Sequence, residues 1–160
     1  MKIKFKLNGQ AVETDIRPDA FLIDVLRDLD CLGVKKGCDT GTCGACTIHV
    51  DGKPALACVQ LAAKADGQEI LTIEGVRDQA KEIGRYLVAE GVEQCGYCSP
   101  GTIMSILYLE EQIANPSDEE ILYYLNGNLC RCSGYTGQLR AIRAYMDSKY
   151  KEVNKNETCA

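Results

Sequence analysis

The sequence predicts an α+β chain, with a small β-grasp sheet in its first half and an all-α arrangement of four helices in its second. Three observations carry this. Before about residue 76, short runs of alternating apolar and polar residues end in Asn-Gly and Asp-Gly turns. From about Gln79 the apolar positions recur at helical spacing instead. The chain also holds ten cysteines, of which eight fall into two groups of four, one in each half; Cys31 and Cys159 stand apart.

In the first half, "KIKFKLN" alternates and runs into Asn8-Gly9, and "AVETDI" returns as its hairpin partner. After Pro18 the positions Leu22, Val25, Leu26 and Leu29 follow i, i+3, i+4, i+7, a helix with one buried face. "CTIHVDGK" is a strand entering an Asp-Gly turn, and "EILTIEG" is a short closing strand. In the second half, "QAKEIGRYLVAEG" is a helix ended by Gly91. "SPGTIMSILYLEEQIA" is the next, with Ser99 as expected N-cap and Pro100 at the first helical position. Ser117 to Glu120 forms a capping box for a third, which stops at Asn126-Gly127. A fourth is expected from about Gly137 to Tyr150, with Leu139, Ile142 and Met146 on one face and a frayed polar tail beyond it.

Composition narrows the function. Of the 160 residues 46% are apolar, enough for a packed core, and 26% are charged. A formal net charge of -5 argues against nucleic acid, whose phosphates call for a basic surface. No stretch approaches the roughly 18 uninterrupted apolar residues of a membrane span. The start "MKIKFKLNGQ" lacks the apolar core of a secretory signal. The expectation is a soluble cytoplasmic chain without membrane contact, in which cysteines serve as metal ligands rather than disulfides.

Cys38, Cys43, Cys46 and Cys58 have the spacing C-x4-C-x2-C followed by a distant fourth cysteine, that of a plant-type ferredoxin 2Fe-2S site. An anionic centre needs backbone N–H groups aimed at its sulfurs, and Gly37, Gly41 and Gly44 give the loop the freedom to wrap it. The second group is C-x2-C at Cys95 and Cys98 with C-x-C at Cys130 and Cys132, the latter in a turn flanked by glycines. Spacing there leaves two readings, a second iron–sulfur centre or a four-cysteine zinc site. The tight C-x-C is a poor match to zinc ribbons and favours iron–sulfur.

Together and in this order, "GCDTGTCGACTIHVDG", "QCGYCSPG" and "GNLCRCSGY" resemble the iron–sulfur subunit of the molybdenum hydroxylases, the xanthine oxidase family, over about residues 3–150. Ser99 and Ser133 stand where that family more often carries Thr. The resemblance implies residues 1–76 as a plant-type 2Fe-2S ferredoxin-like domain and 77–160 as a helical 2Fe-2S-binding domain. Because the chain ends at Ala160, it implies a separate small subunit, with molybdopterin cofactor on a large partner subunit and FAD on a medium one. It also implies electron transfer from the molybdenum centre through two 2Fe-2S clusters to FAD during hydroxylation of a small, N-heterocyclic substrate. The Cys95/98/130/132 site would face the pterin, hydrogen-bonded by Gln94 and Cys132, and the Cys38/43/46/58 site would face the flavin. A free-standing two-cluster ferredoxin and a zinc-binding interaction module are the alternatives. Among the remaining residues, Cys31 reads as a small buried hydrophobe and Cys159 as an idle thiol. His49 reads as an exposed strand residue, and Tyr108, Tyr123, Tyr124 and Tyr145 as core or interface.

Overall fold

A computed structural model describes residues 1–157. Strands β1 (Lys2–Leu7) and β2 (Gln10–Asp15) pair antiparallel, with Ile3, Phe5 and Leu7 inward and three lysines outward. Their register is fixed by Asn8 and Gly9, both left-handed (φ 50° and 84°), the conformation a two-residue hairpin requires. Helix α1 (Leu22–Asp28) buries Leu22, Ile23, Val25 and Leu26 against the sheet. Strands β3 (Thr47–Val50) and β4 (Lys53–Leu56) form the second hairpin, and β5 (Glu69–Leu71) closes the sheet by lying parallel to β1. The order β2-β1-β5-β3-β4 gives one mixed five-stranded sheet.

Four helices follow: α2 (Arg77–Ala89), α3 (Ser99–Gln112), α4 (Asp118–Leu125) and α5 (Thr136–Glu157). Val76, Ile83, Leu87, Met104, Ile106, Leu109, Ile121, Ile142 and Tyr145 make a second core, separate from the sheet's. The capping box opens α4 as expected, Ser117 Oγ accepting from the Glu120 amide while Glu120 bonds back to the Ser117 amide. Helix α3 is central and buried from Gly101 to Leu107, because one side packs on β3 and β4 and the others face the remaining helices.

Four expectations change. The closing strand "EILTIEG" ends at Leu71, and Ile73–Val76 form a 3-10 turn instead. The N-cap of α3 is Cys98, not Ser99; Ser99 already lies in the helix and its hydroxyl donates to the Glu93 carboxylate at 2.6 Å. Helix α5 continues to Glu157 instead of fraying at Tyr150, since "KEVNKNE" holds neither Gly nor Pro to stop it. Cys159 lies outside the described residues. His49 is buried at 2% exposure, and its Nε2 donates to the Met104 carbonyl of α3 at 2.8 Å. Strand alternation placed it outward, but outward on β3 is where the helical half sits.

Candidate metal centres

The first group of cysteines occupies the loop between α1 and β3, with Cys58 delivered by a short 3-10 turn after β4 (Ala57–Val59). The structure brings all four together. Cys38 lies beside Cys43 and Cys46 beside Cys58, close enough for the thiols of each pair to perturb one another, and Cys38 and Cys58 feel each other's charge. Backbone N–H groups of Cys43, Thr42 and Thr40 point at the Cys38 sulfur and hold its thiol down to about 5. Cys58 is pushed up to about 11 by burial and then by its neighbour Cys46. Burial also raises Cys43. Gly41 and Gly44 are left-handed (φ 70° for both), which turns the loop's amides inward.

The second group lies between α2 and α3 and between α4 and α5. Cys132 Sγ stands 3.6 Å from Cys95 Sγ, and Cys98 lies close enough to Cys130 for the two thiols to perturb one another. Burial, then Cys130, pushes Cys98 up to about 12. Cys132 is raised chiefly by its hydrogen bond with Cys95. Burial pushes Cys130 up, but the Ser133 hydroxyl and amide and the Cys132 amide outweigh it and leave the thiol low. The Ser133 and Cys132 amides lie 3.3 and 3.4 Å from the Cys130 sulfur. Helix α3 starts at this site and presents its positive end to it.

In both groups the sulfurs meet in pairs. Two thiolates sharing one tetrahedral metal at about 2.3 Å stand about 3.7 Å apart, which is the spacing of Cys95 and Cys132. Two pairs per site, each with amides directed at sulfur, fit a two-metal centre held by four thiolates. All nine described cysteines are free thiols.

Gln94 is exposed in the loop after α2, next to the exposed Cys95, and Cys132 is exposed as well. Cys31 is buried in the sheet's core at 4% exposure and accepts the Thr72 hydroxyl at 3.7 Å, so it belongs to neither group. Tyr145 is core, with its hydroxyl on Glu110, whereas Tyr123 is 79% exposed.

The two centres adjoin. The Leu129 amide, one residue before Cys130, donates to the Cys43 carbonyl at 2.9 Å. Tyr97, between Cys95 and Cys98, donates its hydroxyl to the Lys36 carbonyl at 2.7 Å. Sequence reasoning missed Tyr97, Ser105 and Asn128, whose partners lie in the other half, in the turn after α4 or on α3. The only signal was their position beside cysteine motifs or on a buried helix.

A family model described as 2Fe-2S iron-sulfur cluster binding domain matches residues 5–72, and one described as 2Fe-2S binding domain matches residues 72–143. The nicotinate dehydrogenase small FeS subunit of Eubacterium barkeri is 41% identical over 144 residues, covering 88% of this chain and 92% of that one. This chain belongs to the small iron–sulfur subunits of the molybdenum hydroxylase family. The isoquinoline 1-oxidoreductase subunit alpha of Brevundimonas diminuta is 43% identical over 136 residues, 83% of this chain and 90% of that one. Among solved structures, quinoline 2-oxidoreductase from Pseudomonas putida 86 has a chain matching at TM-score 0.85 and 34% identity, over 94% of this chain and 96% of that one. The family's α+β order, a ferredoxin-type sheet and then a helical 2Fe-2S-binding half, is the order seen here.

Proposed function

We propose that Cys38, Cys43, Cys46 and Cys58 hold one 2Fe-2S cluster, that Cys95, Cys98, Cys130 and Cys132 hold the other, and that this chain carries electrons between a molybdenum subunit and a flavin subunit. The observation that carries the residue assignment is the pairing of sulfurs at both sites, with backbone amides directed at them. Bound there, each cluster supplies one-electron oxidation and reduction. The thiolates fix the centres, the amides of Thr40, Thr42, Cys132 and Ser133 offset negative charge at sulfur, and no side chain of this chain does bond chemistry. Separate hydrophobic cores, one ending at Ile70 and the next beginning at Val76, support two units close to the proposed division into 1–76 and 77–160, with Val76 itself packed in the helical core.

The helical site faces the molybdopterin subunit, with Gln94 and Cys132 at the pterin, and the loop site faces the FAD subunit. Exposure of Gln94, Cys95 and Cys132 supports the first contact. An open apolar groove beside that site, lined by Leu122, Leu125, Leu129, Tyr135 and Leu139, supports a covering chain. The substrate is an N-heterocycle; the relatives named for nicotinate, isoquinoline and quinoline support that class. No described helix is long and apolar enough to cross a membrane, and free thiols and an acidic charge suit a cytoplasmic enzyme that binds no nucleic acid.

Purification with accompanying chains tests the assembly, followed by assay against nicotinate, isoquinoline, quinoline and an aldehyde. Co-purified molybdenum and flavin chains and two EPR signals on reduction are expected. A monomer that keeps both clusters without partners would make it a free ferredoxin instead, and zinc in place of iron would overturn the site assignment. Serial order is tested by Cys43→Ser and Cys98→Ser in the assembled enzyme with rapid-freeze EPR. The first should leave the helical site reducible while flavin reduction slows; the second should leave loop site and flavin both oxidised. Fast flavin reduction in Cys98→Ser would refute the order.

A further inference from the structure

Asn128 lies two residues before Cys130, yet its side chain reaches the other cysteine loop. It is buried at 6% exposure. Its Nδ2 donates to the Gly44 carbonyl at 3.1 Å, and Gly44 sits between Cys43 and Cys46. Its Oδ1 accepts the Ser105 hydroxyl of α3 at 2.7 Å. A backbone carbonyl only accepts, so the nitrogen must face Gly44, and the orientation of the amide follows. The next residue adds the Leu129 amide bond to the Cys43 carbonyl. Residues 128 and 129 thus hold residues 43 and 44 by side chain and by backbone.

Packing around Gly44 shows how little slack the contact has. A Cβ on Gly44 would overlap the Gly127 carbonyl and stand 2.7 Å from Asn128 Nδ2, and a Cβ on Gly101 would overlap the Gly44 carbonyl. Three elements therefore close on one peptide of the first loop: the Gly127–Asn128 turn, the start of α3, and Thr47, whose hydroxyl also donates to the Gly44 carbonyl at 2.7 Å. The amide suits this position, because it offers a donor toward the Gly44 carbonyl and an acceptor toward the Ser105 hydroxyl, both out of water.

We infer that Asn128 is a positioning residue: its buried amide fixes the placement of the Cys38/43/46/58 centre relative to the Cys95/98/130/132 centre, and with it the coupling between them. This rests on the assignment of two clusters to those eight cysteines. Asn128→Asp keeps the volume but replaces the donor by a carboxylate facing the Gly44 carbonyl. Ser105→Ala removes only the hydroxyl that holds the amide in place.

The test uses the assembled enzyme. Iron per chain is measured first, then the low-temperature EPR splitting between the two centres after full reduction with dithionite, and hydrogen exchange at the Leu129 amide. Wild-type chain with less iron than two 2Fe-2S clusters require would bring down the cluster assignment, not the role of Asn128. With iron complete, Asn128→Asp should change the splitting and raise Leu129 exchange several-fold, and Ser105→Ala should do both to a smaller degree. A residue that merely stabilises the fold would lower the melting temperature and leave the splitting of the loaded enzyme unchanged; that result overturns the inference. Should Asn128→Asp lose iron, Ser105→Ala decides alone: unaltered splitting with unaltered Leu129 exchange refutes it.

Discussion

Gly101 and Gly84 are both helical glycines, and the same change to alanine should have opposite signs at the two sites. At Gly84 in α2 an added Cβ meets nothing within 4 Å. Alanine there only reduces the freedom of the unfolded chain and improves helix propensity, a gain of about 0.5–1 kcal/mol. At Gly101, the third residue of α3, the Cβ would overlap the Gly44 carbonyl oxygen and press on Ala45, with Cα at 3.1 Å and the carbonyl carbon at 3.2 Å. These are backbone atoms of the cysteine loop, so no side chain can swing aside. Forcing a methyl into such a contact costs about 1–3 kcal/mol, more than the propensity gain.

For a chain of this length one kcal/mol moves the melting temperature by roughly 2–4 °C. Gly84→Ala should therefore melt slightly above the wild type and Gly101→Ala several degrees below it. Far-UV circular dichroism of the iron-loaded chain reads the first, and visible absorption of the metal–thiolate chromophore reads the second as well. Because the methyl pushes the helix start away from Gly44, Gly101→Ala should perturb the chromophore before the helices melt, and Gly84→Ala should not. Equal melting temperatures for the two variants would refute the claim that α3 is seated directly on the cysteine loop.

Four further outcomes follow from the geometry. In metal-free chain at neutral pH, Cys38 should alkylate first, since its thiol sits near 5, while Cys58 and Cys98, pushed up to about 11 and about 12, should lag; mass-spectrometric mapping of iodoacetamide adducts checks the order. The Cys38 pKa is depressed by folding, so its stabilising effect on the metal-free chain is complete above the ordinary thiol value and is lost as pH falls toward 5, which denaturant titration across that range should show. Ser117→Ala removes the cap of α4 and should cost about 1 kcal/mol; the Glu120 carboxyl, held low by the Ser117 amide, makes the capping box weaken only as pH falls below the ordinary carboxylate range, read by urea melts at acid and neutral pH. His49→Ala removes a buried ring and its bond to Met104 and should cost on the order of 2–3 kcal/mol, whereas a surface histidine would cost almost nothing.

His49 shows where the sequence stops being legible. Strand and helix positions came through because their causes are local: Asn8-Gly9 can only turn, Ser117 and Glu120 can only cap, and alternation in "KIKFKL" has one buried face. The grouping of the eight cysteines into two sets that meet in space was equally legible, since their spacing within each short motif is local. What local rules cannot report is whether the second face of a strand is also covered. On β1 it is not, and Lys2, Lys4 and Lys6 face water as alternation says. On β3 it is, because α3 lies across it, and Thr47, Ile48 and His49 are all buried. The same blind spot hid Asn128. A turn residue between two glycine-flanked motifs looks like solvent-facing loop until the other half of the molecule is placed against it. It then becomes a buried amide whose hydrogen bonds tie a helix to a cysteine loop 84 residues away from it in sequence. In a chain whose work is to carry charge between two centres, the residues that set the relation between those centres sit at this junction. They are the ones a reading of either half alone leaves out.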